Sequence, residues 1–181
     1  LVKSTTISSD IAVDTTFDEA NSPYKIATNV SITAKLTIHP NVVLLMNEMT
    51  SLIVLDGGSI VSQGVQTGHV RIQSSSDPVA GFWGQIVFMN TAQETTFDSQ
   101  GQYVSGSILA FTDILHGGAH DEPVLVLDHI QQLLVTDCSI SASSKGLQLE
   151  SASVTVVNTE IDVTSNPFTS STSDSHSSLN I

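Results

Sequence analysis

The chain has 181 residues, with five Lys or Arg against 18 Asp or Glu, which gives a formal net charge of −13. This balance argues against nucleic-acid and anionic-lipid partners, because both require clustered cations. No apolar stretch is long enough for a transmembrane helix, and the single cysteine, Cys138, excludes an internal disulfide and a cysteine-based zinc site.

Short β-rich runs dominate the chain, and Gly, Asn, Asp, Ser or Pro interrupts each of them. In chain order we predict strands at Tyr24–Ile26, Val30–Ile32, Leu36–Ile38, Val42–Met46, Leu52–Leu55, Val70–Ile72, Gln85–Met89, Ile108–Phe111, Val124–Leu127, Leu133–Asp137, Gly146–Leu149 and Val154–Val157. Apolar residues at helical spacing are almost absent. The pattern therefore indicates an all-β protein, either an antiparallel sandwich or a parallel solenoid. The turn Asp56–Gly58 fits both, because hairpins and solenoid corners use the same residues.

An internal repeat favours the solenoid. Residues 124–140 align with residues 146–161, at a spacing of 22 before the corner and 21 after it. Residues 109–113 align with residues 133–137 at a spacing of 24. The alignment predicts two inward columns on successive coils, Leu109, Leu133 and Val154 in one and Phe111, Val135 and Val156 in the other.

The same alignment predicts a polar column at the corner that follows, made of Asp113, Asp137 and Asn158. Asn and Asp tolerate the left-handed backbone conformation of a sharp corner, and their side chains can bond to neighbouring coils. We interpret this column as a structural corner ladder.

Two longer segments resemble a known family. Residues 83–88 followed by residues 102–118 resemble the pattern W-G-G-I-x-F … Y-x-S-G-S-x-L-x-Y-x-x-I-x-x-G-G of right-handed parallel β-helix (pectin-lyase-like) repeats in large surface and secreted proteins. Residues 22–42 and 58–65 are similar to the first coils of such helices. The chain departs from the pattern at Asn41 and Gln85, where the family usually has Gly.

The resemblance and the repeat together predict a right-handed parallel β-helix with coils of roughly 21–24 residues. We expect residues 1–21 to form an N-terminal cap or lead-in, residues 22–164 the β-helix, and residues 165–181 a linker or an incomplete coil. Cys138 is interpreted as a buried small apolar residue, and Trp83 as a packing residue at a coil end. The predicted core, from strand alternation, is Ile32, Leu36, Ile38, Val42, Leu44, Leu52, Val54, Ile60, Val70, Ile72, Ile86, Phe88, Leu109, Phe111, Leu125, Leu127, Leu133, Val135, Leu147, Leu149, Val154, Val156 and Ile161.

Parallel β-helices of this superfamily include polysaccharide lyases, hydrolases and epimerases. The resemblance therefore raises the question whether this chain carries the catalytic residues of such an enzyme. A lyase needs a basic residue beside carboxylates, but the five cations do not recur at coil spacing; they are Lys3, Lys25, Lys35, Arg71 and Lys145. A hydrolase needs paired carboxylates, and the pair predicted one coil apart, Asp113 and Asp137, is interpreted as structural. We expect no catalytic set.

Two segments are candidates for metal binding. His116, His120, Asp121 and Glu122 could bind a divalent metal if their loop folds back. The excursion Asn90–Gln102 could bind calcium, although it lacks the dense Asp spacing of a dedicated loop. No cofactor is expected, with calcium as an option. Asn29 begins a glycosylation sequon, Asn-Val-Ser.

These observations lead to a functional expectation: a non-catalytic, extracellular or cell-surface structural or adhesion module of a larger surface protein or filament. Its expected partners are other domains or subunits of that assembly, with glycans as a further option, and neither nucleic acid nor membrane insertion. The alternative is a carbohydrate-binding or polysaccharide-processing domain. A third option is an ice-binding solenoid, which requires regular Thr-x-Thr ranks, whereas the Thr pairs in this chain are adjacent residues.

Overall fold

A computed structural model of the chain describes residues 4–171 and 178–180, and all statements about its structure concern these residues. They form 22 strands and two short 3-10 helices, Glu19–Asn21 and Ala119–Asp121. Three long parallel sheets contain all of these strands except two, which form a small antiparallel hairpin. No helix in the described ranges is both long enough and apolar enough to cross a membrane.

We name the three parallel sheets A, B and C. Sheet A contains, in spatial order, β1 (Thr5–Ile7), β3 (Tyr24–Ile26), β6 (Val43–Met46), β9 (Val70–Ser74), β14 (Thr112–Leu115), β17 (Ser139–Ser141) and β20 (Glu160–Asp162). Sheet B contains β21 (Phe168–Ser171), β18 (Lys145–Glu150), β15 (Pro123–Asp128), β10 (Ile86–Phe88), β7 (Leu52–Val54) and β4 (Val30–Ile32). Sheet C contains β2 (Thr15–Phe17), β5 (Lys35–Ile38), β8 (Ser59–Gln63), β13 (Ile108–Ala110), β16 (Leu134–Thr136), β19 (Ser153–Val157) and β22 (Ser178–Asn180). The hairpin pairs β11 (Thr96–Phe97) with β12 (Tyr103–Ser105).

From β4 onward the chain passes through sheets B, C and A in turn, apart from the hairpin between β10 and β13. Each strand inside a sheet therefore pairs with the strand of the preceding and of the following circuit. In sheet B, Leu125 pairs with Leu147, which is the alignment that the repeat predicted. The all-β, parallel arrangement is confirmed. The alternative of an antiparallel sandwich is wrong, because the strands of all three large sheets pair in parallel. The Asp56–Gly58 turn joins β7 and β8 of different sheets and does not form a hairpin.

The core fills the space between the three sheets. Inward and outward residues alternate along the strands, as the pattern buried, intermediate, buried over Leu52, Ile53 and Val54 illustrates. The predicted core is confirmed at every position except Phe111 and Ile161, which are only partly buried. The core continues through the segment expected to be a cap, since Ile11 and Phe17 are also buried.

The ends of the described chain extend the same sheets. β1 and β2, within the expected cap or lead-in, pair with β3 and β5. β21 and β22, within the expected linker or incomplete coil, pair with β18 and β19. Residues 1–3, 172–177 and 181 of these two segments lie outside the described residues.

One predicted register is wrong. Leu109 pairs with Val135 rather than with Leu133, so the predicted alignment is displaced by two positions along the chain. Phe111 consequently does not point inward; it lies at the corner after β13, with a φ of 45°. A slip of two positions preserves the inward and outward alternation of a strand, so the pattern of apolar residues alone could not detect it.

Polar side chains connect successive circuits where the strands begin. In each case a side-chain oxygen accepts a hydrogen bond from a main-chain N–H in the next circuit, at 2.8 Å from Ser31 to Asp10 and at 3.0 Å from Gln85 to Ser51. Other residues whose side chains accept in this way are Asp14, Ser22, Asn29 and Thr95. The many short polar side chains of the sequence thus supply main-chain hydrogen bonds that the sheets alone do not make.

Candidate functional site

The most developed polar cluster lies on the outward face of sheet A, around Asp113. This residue is on β14, where it pairs with Arg71 of β9 on one side and Ser139 of β17 on the other. Alternation along β14 buries Thr112 and Ile114 and directs Asp113 outward. The expectation that Asp113 belongs to the corner ladder is therefore wrong, because the alignment of residues 109–113 with residues 133–137 placed it two positions from its true register.

Asp113 is held between two basic side chains. The Nδ1 atom of His69 is 2.8 Å from its Oδ1, and the Nε atom of Arg71 is 3.6 Å from its Oδ2. A carboxylate only accepts hydrogen bonds, so His69 donates from Nδ1, and its Nε2 atom is left as an acceptor when the ring is neutral. His69 also contacts the ring of Phe111 edge to face, with 5.7 Å between ring centroids.

The cluster lies in a groove of about 540 Å³. One wall is the turn 65–68, which is closed by two hydrogen bonds between Val65 and Gly68. Asn41 lies against this turn, and a Cβ atom on Gly68 would approach the Oδ1 atom of Asn41 to 2.7 Å. A larger residue at position 68 would therefore have to displace the Asn41 side chain, so glycine lets the turn and Asn41 pack closely at this wall.

The groove continues across sheet A beyond the cluster. Arg71 and Asp113 also line a second depression together with Gln73, Ser139 and Ser141. The register of sheet A orders these outward residues into two columns that cross the strands from β6 to β20. The first column is Val43, Arg71, Asp113, Ser139 and Glu160, and the second is Leu45, Gln73, Leu115, Ser141 and Asp162.

The other two members of the expected corner ladder lie side by side. Asp137 and Asn158 have left-handed φ values of 54° and 46° at the corners after β16 and β19. The Nδ2 atom of Asn158 donates to Asp137 at 3.3 Å, and Thr136 donates to the other carboxylate oxygen at 2.7 Å. The preceding circuit has Phe111 at this position, so the polar contact joins two circuits rather than three.

The residues proposed for a metal site after β14 face different partners. His116 bonds through Nδ1 to Ser74 at 2.9 Å, and burial lowers its pKa. His120 and Glu122 are exposed, and Asp121 lies 3.4 Å from the ammonium group of Lys145. Within the described part of the chain, no three His, Cys, Asp or Glu side chains form a group that could hold a metal ion.

The excursion Asn90–Gln102 contains β11, and its turn leads into β12. The carboxylate of Asp98 accepts hydrogen bonds from the N–H groups of Gln100 and Gln102, so it is engaged in closing the turn. Asn29 is exposed, and its Oδ1 accepts from Ser51 N–H at 2.9 Å, which leaves the Nδ2 atom of the sequon outside that bond.

Cys138 and Trp83 are both buried. Burial raises the pKa of the Cys138 thiol to about 12, so the thiol is protonated at physiological pH. Trp83 is fully buried, and its Nε1–H donates to the carbonyl oxygen of Leu115 at 2.7 Å. Gln85, which replaces a glycine of the family pattern, uses its side chain to donate to the carbonyl oxygen of Pro123 at 2.9 Å.

The sequence indicated Arg71 as a possible lyase base and Asp113 as a corner residue. It did not select His69 or the turn 65–68 that forms the groove wall. The signal that could have found His69 is the alternation His69, Arg71 and Gln73, which places all three on one face of a strand. Its pairing with Asp113 depends on a register that the sequence did not fix.

Comparison with known proteins adds no relative: no protein-family model, curated protein or solved structure matches this chain.

Proposed function

We propose that the chain is a right-handed parallel β-helix of the pectin-lyase-like type and serves as a non-catalytic structural or adhesion module of a larger extracellular or cell-surface assembly. The observation that carries this proposal is the single apolar core enclosed by three parallel sheets. Such a core stacks circuit upon circuit and supports an elongated, rigid body with long polar faces.

The interior of the protein supports a structural role. The few polar side chains inside are paired, as in the 2.7 Å hydrogen bond between Ser62 and Thr112. Among the described side chains, the hydroxyl of Thr169 is the one buried polar atom without a hydrogen-bond partner. An interior in which polar groups are paired favours a single, stable arrangement of the circuits.

The arrangement of carboxylates does not favour paired-carboxylate hydrolysis. Asp113 and Asp137, the pair considered for that chemistry, are not register partners: Asp113 pairs with Ser139, and Asp137 contacts Asn158. Both carboxylates are engaged by neighbouring donors, as expected for structural groups.

The proposal has a direct cellular test. An antibody against the purified domain should label intact, non-permeabilised source cells or their secreted matrix, and mild surface proteolysis should remove the label. Labelling only after permeabilisation would contradict an extracellular role. Release of reducing ends or unsaturated uronate from any polysaccharide by the purified protein would contradict a non-catalytic one.

A second function, carbohydrate binding, is favoured by one observation, the polar groove around Asp113 on the outer face of sheet A. Ice binding has less support. The outward column of sheet C begins with Thr16 and Thr37, but Val61, Ile108 and Leu134 follow, so the threonine rank is interrupted.

A further inference from the structure

From the groove on sheet A we infer a binding site for a neutral, hydroxyl-rich glycan, with Arg71, Asp113 and His69 at its centre. This inference rests on the proposed adhesion role and names the class of ligand.

Charge balance is the first reason to expect a neutral ligand. Arg71 and Asp113 carry opposite charges and lie 3.6 Å apart, so their charges offset each other at the centre of the groove. A uronate carboxylate would compete with Asp113 for the guanidinium and gain little. Sugar hydroxyl groups both donate and accept hydrogen bonds, so they can be added to the pair without displacing it.

The groove also offers donors and acceptors that have no partner within the protein. In the described part of the chain, the side chains of Gln66, Thr67 and Gln73 make no hydrogen bonds, although all three line the groove or its continuation. Arg71 approaches Asp113 through its Nε atom, so its two terminal nitrogens are not part of that contact. This mixture of amide, hydroxyl and guanidinium groups suits a polyol better than an apolar or a strongly charged ligand.

The surface of sheet A beyond the groove disfavours acidic glycans. The two outward columns end at Glu160 and Asp162, three strands beyond Arg71, which is about 14 Å at the usual strand spacing. A polyuronate extended along the columns would bring its carboxylates toward these two residues. The net charge of −13 adds to this repulsion.

The geometry fits an extended chain. Successive polar side chains of the columns are one strand spacing apart, about 4.8 Å, which is close to the length of one pyranose unit in a linear glycan. A glycan lying across the strands would therefore meet a new outward residue at each sugar, beginning with Arg71, Asp113 and Ser139.

The test is binding by calorimetry to the intact domain, with cellohexaose, xylohexaose and mannohexaose as neutral probes and hexagalacturonate as the acidic probe. We expect at least one neutral probe to bind and hexagalacturonate to bind more weakly. Arg71→Ala and Asp113→Asn should each weaken neutral binding by about tenfold or more, because each removes a charged hydrogen-bonding partner. Asp113→Asn should also improve binding of hexagalacturonate, since it leaves Arg71 unpaired.

Gln148→Ala, an outward change on sheet B, is the matched control and should leave binding unchanged. Melting temperatures of all variants should stay near that of the wild type. Binding to none of the neutral probes, a preference for hexagalacturonate, or neutral binding that survives both groove substitutions would each overturn the inference. These results would leave the proposed structural role standing. Antibody labelling only after permeabilisation, or cleavage of a polysaccharide by the purified protein, would instead overturn the structural role and would not by itself test the groove.

Discussion

Asp137 shows what a single corner residue contributes. Its backbone is left-handed, with a φ of 54°, and its carboxylate joins Thr136 and Asn158. The sequence predicted this left-handed corner from residue type, because Asp and Asn tolerate such a backbone. It could not predict that Phe111 occupies the same position one circuit earlier, because an aromatic residue at positive φ is unusual and the similar pentapeptides 109–113 and 133–137 favour another alignment.

We predict that Asp137→Asn changes the free energy of unfolding by no more than about 0.5 kcal/mol, since it keeps the corner conformation and the Oδ1 acceptor. Asp137→Val should cost about 1–2 kcal/mol or more, because a β-branched residue strains a left-handed backbone. Urea denaturation of both variants measures the difference. Equal, large destabilisation by the two substitutions would show that the charge of Asp137, and not its backbone, matters.

His116 gives the stability of the fold a pH dependence. Burial lowers its pKa in the folded state below the ordinary 6.5, because the imidazolium is poorly solvated there. The unfolded chain therefore takes up this proton first as pH falls, and stability that is present above 6.5 is lost below it. We predict that the wild type loses more stability than His116→Asn between about pH 8 and pH 5.

The control for this prediction is His39→Asn, which removes an exposed histidine with the same substitution, and its profile is compared with that of His116→Asn. Asparagine is chosen at position 116 because it accepts the positive φ of 67° found there. Parallel profiles for wild type and His116→Asn would show that the pH dependence arises elsewhere.

At the scale of elements, side-chain oxygens hold strand starts together across circuits in sheet B. Asn29 accepts from the N–H of Ser51, and the hydroxyl of Ser51 accepts from the N–H of Gln85 at 3.0 Å. The strands themselves, β4, β7 and β10, were predictable from their apolar alternation to within a residue or two. These side-chain hydrogen bonds could not be predicted, because the two residues of each bond are far apart along the chain and are brought together only by the register of the sheet.

We predict that Ser51→Ala lowers the free energy of unfolding by about 1 kcal/mol, because it leaves the N–H of Gln85 without its acceptor. Thr28→Ala is the control: Thr28 is exposed and near the same strand starts, and its hydroxyl makes no hydrogen bond in the described structure. Thermal unfolding of both variants provides the comparison. A melting temperature for Ser51→Ala equal to that of Thr28→Ala would show that the hydrogen bond from Gln85 to Ser51 contributes nothing to the stability of the fold.

At the scale of the whole molecule, sequence repeats predicted the parallel stacking where successive circuits have similar lengths, and they gave no alignment where long segments are inserted. Leu125 and Leu147 were aligned correctly, because no insertion separates them. The circuits from Leu52 to Ile86 and from Ile86 to Leu125 are longer, because residues 75–85 and residues 90–107, which contain the β11–β12 hairpin, are inserted in them. The groove could not be predicted from the sequence for the same reason, because it forms where the turn 65–68 meets strands whose register the repeat did not determine.

The parallel pairing of circuits is the central claim, and cysteine cross-linking between β15 and β18 tests it most directly. The outward pairs Val126 with Gln148 and Asp128 with Glu150 are register partners, so their Cα atoms fall within disulfide reach, while the crossed pairs, 126 with 150 and 128 with 148, do not. The native Cys138 does not compete, because its buried thiol has a pKa of about 12.

Under mild oxidation, the double variants Val126→Cys/Gln148→Cys and Asp128→Cys/Glu150→Cys should both form disulfides in the folded protein, and the two crossed double variants should remain reduced. Mass spectrometry of the proteolytic fragments reads out each bond. Disulfides in the crossed variants, with the direct pairs left reduced, would mean that these strands run antiparallel and would contradict the account.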